Sequence, residues 1–430
     1  MNFNERLQKL IPGGAHTYSR GADQFPENAP QILRAGKGAY VFDDQGKRFL
    51  DYGMALRAVT IGYAEDEIDE AAIAEIRNGN NLTRPSLIEL EAAETLAGLI
   101  DSVDMVKFTK NGSTSVSAAV KLARAFTGRD LIARCAEHPF FSYDDWFIGS
   151  TPLTRGIPDA TVQQTKSFSY GDLDSLRALF DQYPGQIACV AMEPATTEDP
   201  PAGYLRAVQN LCHERGAVMI LDEMITGFRW DVKGAQHRYD VKPDLCTFGK
   251  AMANGFSVSC VAGRREIMEL GSIEFPGRER VFLLSTTHGA EMCGIGAFVA
   301  TVRYLEREPV VDHLWSYGGR LVDLMNSIAR HYGVEASFRA GGIGCSPYYL
   351  TLDKTGQPSL ELRTLFAQEM VRNGVLMPWI ALSYRHGEEE LAITERAMRA
   401  TFEVYRKALQ NGVDGLLQGA AIKPVFRKCN

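Results

Sequence analysis

From Met105 to about Glu308 short apolar runs alternate with amphipathic stretches. The runs are Val106 to Thr109, Leu131 to Cys135, Ile187 to Met192, Val218 to Leu221, Leu245 to Phe248 and Ser259 to Ala262. Runs of this length, separated by helical periodicity, predict an α/β fold whose sheet is largely parallel and crossed by helices. A helical pattern starts at Asp66, and the first 60 residues before it are turn-rich, with Pro12-Gly13-Gly14, Pro26, Pro30 and Gly36. Within them a hairpin is expected from Ala39 to Tyr52, turning at Asp44-Gln45-Gly46. Past Val310 the pattern gives a helix from Asp312 to Tyr332, a Gly-rich bend at Ala340-Gly341-Gly342, a strand from Tyr348 to Leu352 and two further helices. The division expected is a large domain over 61–310 and a smaller α+β domain over 311–430, against which an arm of residues 1–60 packs.

Composition narrows the function class. A chain of 430 residues with 45% hydrophobic and 23% charged content has the make-up of a globular protein of about two to three domains. Its net charge is −7 and no Lys/Arg block occurs, which argues against nucleic acid or an anionic membrane surface as partner. Eight widely spaced cysteines, several inside apolar runs, read as reduced thiols, and without CxxC or HExxH spacing a metal site is not expected. The N-terminal MNFNERLQKLIPGG lacks a basic-then-apolar signal and no run of about 18 apolar residues occurs, so the expected location is the cytoplasm.

Two places carry candidate chemistry. The run Ala217 to Leu221 delivers Asp222 at its carboxyl end, where open α/β sheets place ligands. Lys250 follows the run ending at Phe248 and is flanked by Gly249, Ala251, Ala253 and Gly255, an environment that would desolvate an amine and make it a nucleophile for a Schiff base. An acid and an amine so placed suit a cofactor that needs one group for a ring nitrogen and one for an aldehyde. Lys110-Asn111-Gly112-Ser113-Thr114 opens a helical segment, Ser115 to Phe126, and has two readings. It is an anion cup of free N–H groups and hydroxyls, or an ordinary helix N-cap.

The blocks KNGSTSVSAAVKLARAFTGRD (110–130), LDEMITGFRW (221–230), FGKAMANGFSVSCVAGRREIM (248–268) and STTHGAEMCGIGA (285–297), together with PGGAHTYSRG (12–21) and AGKGAYVFDDQGKRFLDYG (35–53), resemble the class III pyridoxal-phosphate aminotransferases. Within them they resemble the subgroup around glutamate-1-semialdehyde 2,1-aminomutase. The resemblance spans nearly the whole chain and implies the PLP-dependent transferase fold type I, with pyridoxal 5'-phosphate as cofactor. Lys250 matches the lysine that forms the Schiff base, and Asp222 the aspartate that pairs with the ring nitrogen. Met224 matches an apolar residue on one ring face, and Phe140 an aromatic on the other. There the family's aromatic-His-Gly has become Phe140-Phe141-Ser142. Asn111, Gly112 and Ser113 fall on the phosphate cup. Glu193 matches a Glu that lines the site or serves structure alone, and Thr286 a threonine reaching the phosphate of a neighbouring subunit, which implies a homodimer.

Arg20 matches an arginine near the substrate carboxylate, and Arg57 stands in Ala55-Leu56-Arg57, where the aminomutases carry Ser-x-Trp. The segment Gly149 to Pro158 is shorter than the gating loop that retains the mutase intermediate, a change that favours release and hence transamination. The activity implied is amino transfer from L-glutamate to an aldehyde or ketone acceptor. The altered wall resembles enzymes that aminate oxidised sugar acids, such as an 8-oxo-3-deoxy-octulosonate of lipopolysaccharide biosynthesis. The alternatives are a glutamate-1-semialdehyde aminomutase and a non-catalytic PLP-binding regulator, a class expected to have lost the lysine that this chain keeps.

Overall fold

In the computed structural model, which describes residues 2–289 and 291–429, strands β1 (Leu33–Lys37), β2 (Tyr40–Asp43) and β3 (Arg48–Asp51) come first. Next are β4 (Met105–Thr109), β5 (Leu131–Cys135), β6 (Thr165–Phe168), β7 (Ile187–Met192), β8 (Val218–Asp222), β9 (Leu245–Phe248) and β10 (Ser259–Gly263). The last strands are β11 (Phe338–Ile343), β12 (Ser346–Thr351) and β13 (Val375–Leu376). The chain forms two units, one of residues 66–311, the other of the segments before residue 66 and over 312–427.

In the unit over 66–311 a seven-stranded sheet has the order β4-β10-β9-β8-β7-β5-β6. Strands β6, β5, β7, β8 and β9 pair in parallel, and β10 runs against both β9 and β4. Every residue of β7, β8 and β9 is buried. Strands covered on both faces read as unbroken apolar runs, which is why their positions are visible in the sequence. Strand β6 carries no such run: at the sheet edge it pairs on one side only, and its Lys166 and Ser167 are not buried.

The other unit holds a four-stranded sheet of order β1-β2-β3-β13 and the hairpin β11-β12. The Gly-rich bend expected at Ala340-Gly341-Gly342 lies inside β11 instead, with Gly341 opposite Tyr348 in the register. A Cβ at Gly341 would only meet the Tyr348 phenol at ordinary contact distance, 3.7 Å, and tertiary pairing outweighs the weak strand preference of glycine. Between β3 and Val59 the backbone takes a left-handed turn: Met54, Ala55, Leu56 and Arg57 have φ of +39°, +49°, +62° and +67°. This conformation costs side-chain-bearing residues roughly 1–2 kcal/mol each. The turn therefore persists only because its surroundings hold it.

Candidate active site

Register builds the site. The parallel pairing of β8 with β9 sets Asp222 opposite Thr247, and the pairing of β7 with β8 sets Met192 opposite Leu221, so Glu193 emerges beside Asp222. Strand β4 runs in the same sense as β9, because each is antiparallel to β10. The ends of β4, β5, β7, β8 and β9 thus share one edge of the sheet, where Asp222 closes β8 and Lys110–Ser113, His138, Glu193 and Lys250 follow the other strands.

Asp222 is buried, 3% exposed. Its Oδ1 accepts the Met224 N–H at 3.0 Å and the Thr247 hydroxyl at 3.0 Å. Burial pushes its carboxyl up to about 6, while the Lys250 charge and these two donors pull the other way. Asp222 and Lys250 are therefore close enough to act on one another. Lys250 itself has φ +45°, a left-handed conformation unusual for a side-chain-bearing residue and of the kind that collects at functional sites.

The helix Gly112–Thr127 begins where β4 ends. Asn111 is its N-cap: its side-chain oxygen accepts the Thr114 N–H at 2.9 Å and the Thr114 hydroxyl at 3.0 Å. Helix geometry leaves the N–H groups of Gly112 and Ser113 without an intrahelical acceptor, so the cap does not use them up. Met224 closes the space beside them. A Cβ on Gly112 would lie 2.8 Å from its Sδ, and one on Gly249 would lie 2.6 Å from the same atom. Gly112, Gly249 and Met224 are thus brought together, and the two glycines keep that space clear.

Phe140 is 45% exposed on the loop after β5. That loop is tied to the helix: Ser113 Oγ accepts the Tyr143 N–H at 3.1 Å, and the Ser142 hydroxyl is 3.0 Å from that of Ser117. Ser117 also accepts the Trp146 indole N–H at 2.9 Å. Glu193, 3% exposed, donates its backbone N–H to His138 Nδ1 at 2.9 Å. Sequence reasoning missed His138. Burial holds its imidazole down at about 4, so it is neutral, and the accepted bond at Nδ1 places its proton on Nε2. The signal for it was a histidine just past β5.

Thr286 is exposed and lines an open groove with Val106, Phe108, Leu284 and Gly289. Ala290, in the block 285–297, lies outside the described residues. Arg20 and Arg57 belong to the other unit, Arg20 exposed and Arg57 half-buried with Nη1 donating to Ser346 Oγ. Among the described residues no cluster of three or more His, Cys, Asp or Glu could hold a metal ion, and no helix is long and apolar enough to cross a membrane.

The profile of the family described as aminotransferase class-III matches residues 22–377. The 3-aminobutyryl-CoA aminotransferase of Cloacimonas acidaminovorans (strain Evry) is 32% identical over 419 residues, 95% of this chain and 98% of its own. Among solved structures, the PLP internal aldimine form of the FumI protein of Sphingopyxis sp. MTA144 superposes with a TM-score of 0.87 and 26% identity, over 97% of both chains. A glutamate-1-semialdehyde aminomutase of Pseudomonas aeruginosa PAO1 gives 0.81 at 18% identity, over 94% of this chain and 93% of its own, a likeness of fold alone.

Proposed function

This chain belongs to the class III aminotransferases, and from that premise we propose that it moves an amino group from L-glutamate to an aldehyde or ketone acceptor bearing an acidic group. The enzyme is an aminotransferase whose cofactor is pyridoxal 5'-phosphate. The residues present suit that group. A buried carboxylate whose two hydrogen-bond donors are both neutral gains from a cationic ring nitrogen, and the two glycines beside Met224 leave room for a flat ring.

In this reading Asp222 faces the ring nitrogen, Met224 and Phe140 take the two ring faces, and Asn111, Gly112 and Ser113 take the phosphate, with Glu193 lining the site. Bound pyridoxal phosphate supplies an electrophilic carbon and an electron sink. Lys250 Nζ, as a free amine, would move a proton between the substrate carbon and the cofactor's C4′, on the far side of the shared nitrogen. Asp222 holds a compensating negative charge throughout. Arg20 or Arg57 pairs its guanidinium fork with the substrate carboxylate. The working unit is a cytoplasmic homodimer in which Thr286 reaches the partner's phosphate site, a role that its exposed position supports.

The acceptor in this reading is an oxidised sugar acid such as an 8-oxo-3-deoxy-octulosonate, and the observation that carries it is the charged Ala55-Leu56-Arg57 in place of Ser-x-Trp. The short Gly149 to Pro158 segment supports release over retention. A second reading, a 3-aminoacyl thioester substrate, is favoured by the 32% identical relative. A panel separates them: bleaching of the cofactor by each candidate donor, then recovery of colour with the sugar acid, a 3-oxoacyl-CoA or another carbonyl. Conversion of glutamate-1-semialdehyde to 5-aminolevulinate, with no bleaching carried over to a second substrate, would replace both readings by the aminomutase.

A further inference from the structure

We propose that Asp51 and Tyr63 are positioning residues for Arg57, holding residues 54–57 in the left-handed turn that aims its guanidinium at an anionic substrate group. The proposal rests on the reading of Arg57 as a substrate-carboxylate contact. Asp51 is 3% exposed, and its carboxylate gathers the turn. Oδ1 accepts the Gly53 N–H at 2.7 Å, and Oδ2 accepts the Met54 N–H at 3.0 Å and the Tyr63 hydroxyl at 2.7 Å. The same phenol oxygen accepts the Ala55 N–H at 2.7 Å. Three consecutive backbone N–H groups, at 53, 54 and 55, therefore end on one carboxylate-phenol pair.

From the other side the Trp379 indole donates to the Gly53 carbonyl at 3.1 Å, and Trp379 packs with Tyr63 and Ala55 around the buried Met54 and Val59. The consequence reaches Arg57 through its own backbone. Its N–H donates to the Gly53 carbonyl at 3.2 Å, and its φ of +67° fixes the direction in which the side chain leaves the chain. A turn relaxed to the ordinary right-handed basin would send that side chain elsewhere. Ser346, buried, then receives the guanidinium and fixes its far end. Met-Ala-Leu-Arg is a good right-handed helix sequence, so the brace and not local preference sets the hand.

The test uses holoenzyme and the acidic donor that bleaches the wild-type cofactor, with Tyr63→Phe, Arg57→Ala, Arg57→Lys and the double variant Tyr63→Phe/Arg57→Ala. Phenylalanine keeps the ring but neither donates to Asp51 nor accepts from Ala55. Expected is a rise in KM of about tenfold for Tyr63→Phe and for Arg57→Ala, with kcat and bound cofactor little changed, and partial recovery in Arg57→Lys. The double variant should be no worse than Arg57→Ala alone, since both remove one contact. Additive losses, or a Tyr63→Phe defect that also empties the cofactor site, would overturn the proposal and leave Tyr63 a structural residue. Arg57→Ala without effect on KM would sink the substrate reading of Arg57 and the proposal with it. Arg57→Ala impaired beside a normal Tyr63→Phe sinks the brace alone. Should Tyr63→Phe not fold, Trp379→Phe, which removes the donor to the Gly53 carbonyl and trims the ring packed with Tyr63 and Ala55, is read by the same criteria.

Discussion

Replacing Asp222 by Asn tests whether its burial is a cost carried for the cofactor. The carboxyl is raised from its ordinary 3.8 to about 6 by burial, with Lys250 opposing. At about 1.4 kcal/mol per pH unit, the ionised form costs the folded apoprotein about 3 kcal/mol at neutral pH and above. The sign follows from proton binding: between these values the folded state holds the proton and the unfolded state does not. Stability from this group is thus greatest below about pH 4, falls as pH rises, and levels off above about pH 6 to 7. Asparagine keeps an oxygen for the Met224 N–H and the Thr247 hydroxyl but buries an amide N–H₂, a loss of about 1–2 kcal/mol that does not depend on pH. The measurement is urea unfolding of both apoproteins across pH. The stability of Asp222→Asn relative to wild type should rise by about 2 kcal/mol from about pH 4.5 to about pH 8, while the loaded variant loses transaminase activity. A difference that is flat across that range would refute the assignment of a desolvated carboxylate.

Other outcomes are as specific. Lys250→Ala should lower the half-reaction with glutamate by about a thousandfold or more, seen as failure of the cofactor to bleach. Ser113→Ala removes a hydroxyl that also accepts the Tyr143 N–H, and should weaken cofactor binding by about tenfold in a titration of apoprotein followed by absorbance. Gly227→Ala would set a Cβ 2.5 Å from Phe248 Cδ1 and 2.8 Å from the Glu223 carbonyl, neither free to move, and should cost roughly 1–3 kcal/mol in urea unfolding. Phe140→Ala, by contrast, should leave apoprotein stability within about 0.5 kcal/mol, because the ring is half exposed, and weaken cofactor binding alone.

What was legible in the sequence follows from burial. The runs of β7, β8 and β9 are covered on both faces, so hydrophobicity marks them, and Asp222 and Lys250 are found by counting past their ends. Residues 110–114 offered a cup or a cap from their types alone, but which residue caps, Asn111, and the approach of Met224 to both Gly112 and Gly249 depend on folding that the sequence does not display. Strand β6 was invisible because an edge strand tolerates Lys166 and Ser167. The left-handed turn was invisible for a different reason: its sequence favours the opposite hand, and the groups that decide, Asp51, Tyr63 and Trp379, come from separate segments. His138 carries no motif, and its tautomer is set by a backbone N–H 55 positions away.

The antiparallel strand β10 has a consequence for how the protein is made. Strand β4 stands at the sheet edge and pairs with β10 alone, Thr109 facing Ser259 across 150 residues of chain. During synthesis the strand that leads into Asn111–Ser113 therefore has no strand to pair with until β10 has emerged, after β5, β7 and β8 can associate, although the helix Gly112–Thr127 packs on β7, β8 and β9. Closing so long a loop is slow, and the β4 ladder forms only when the last strand docks. Competence to take up the cofactor should appear late and all at once, and nascent chains that stop before Ser259 should fail to retain it.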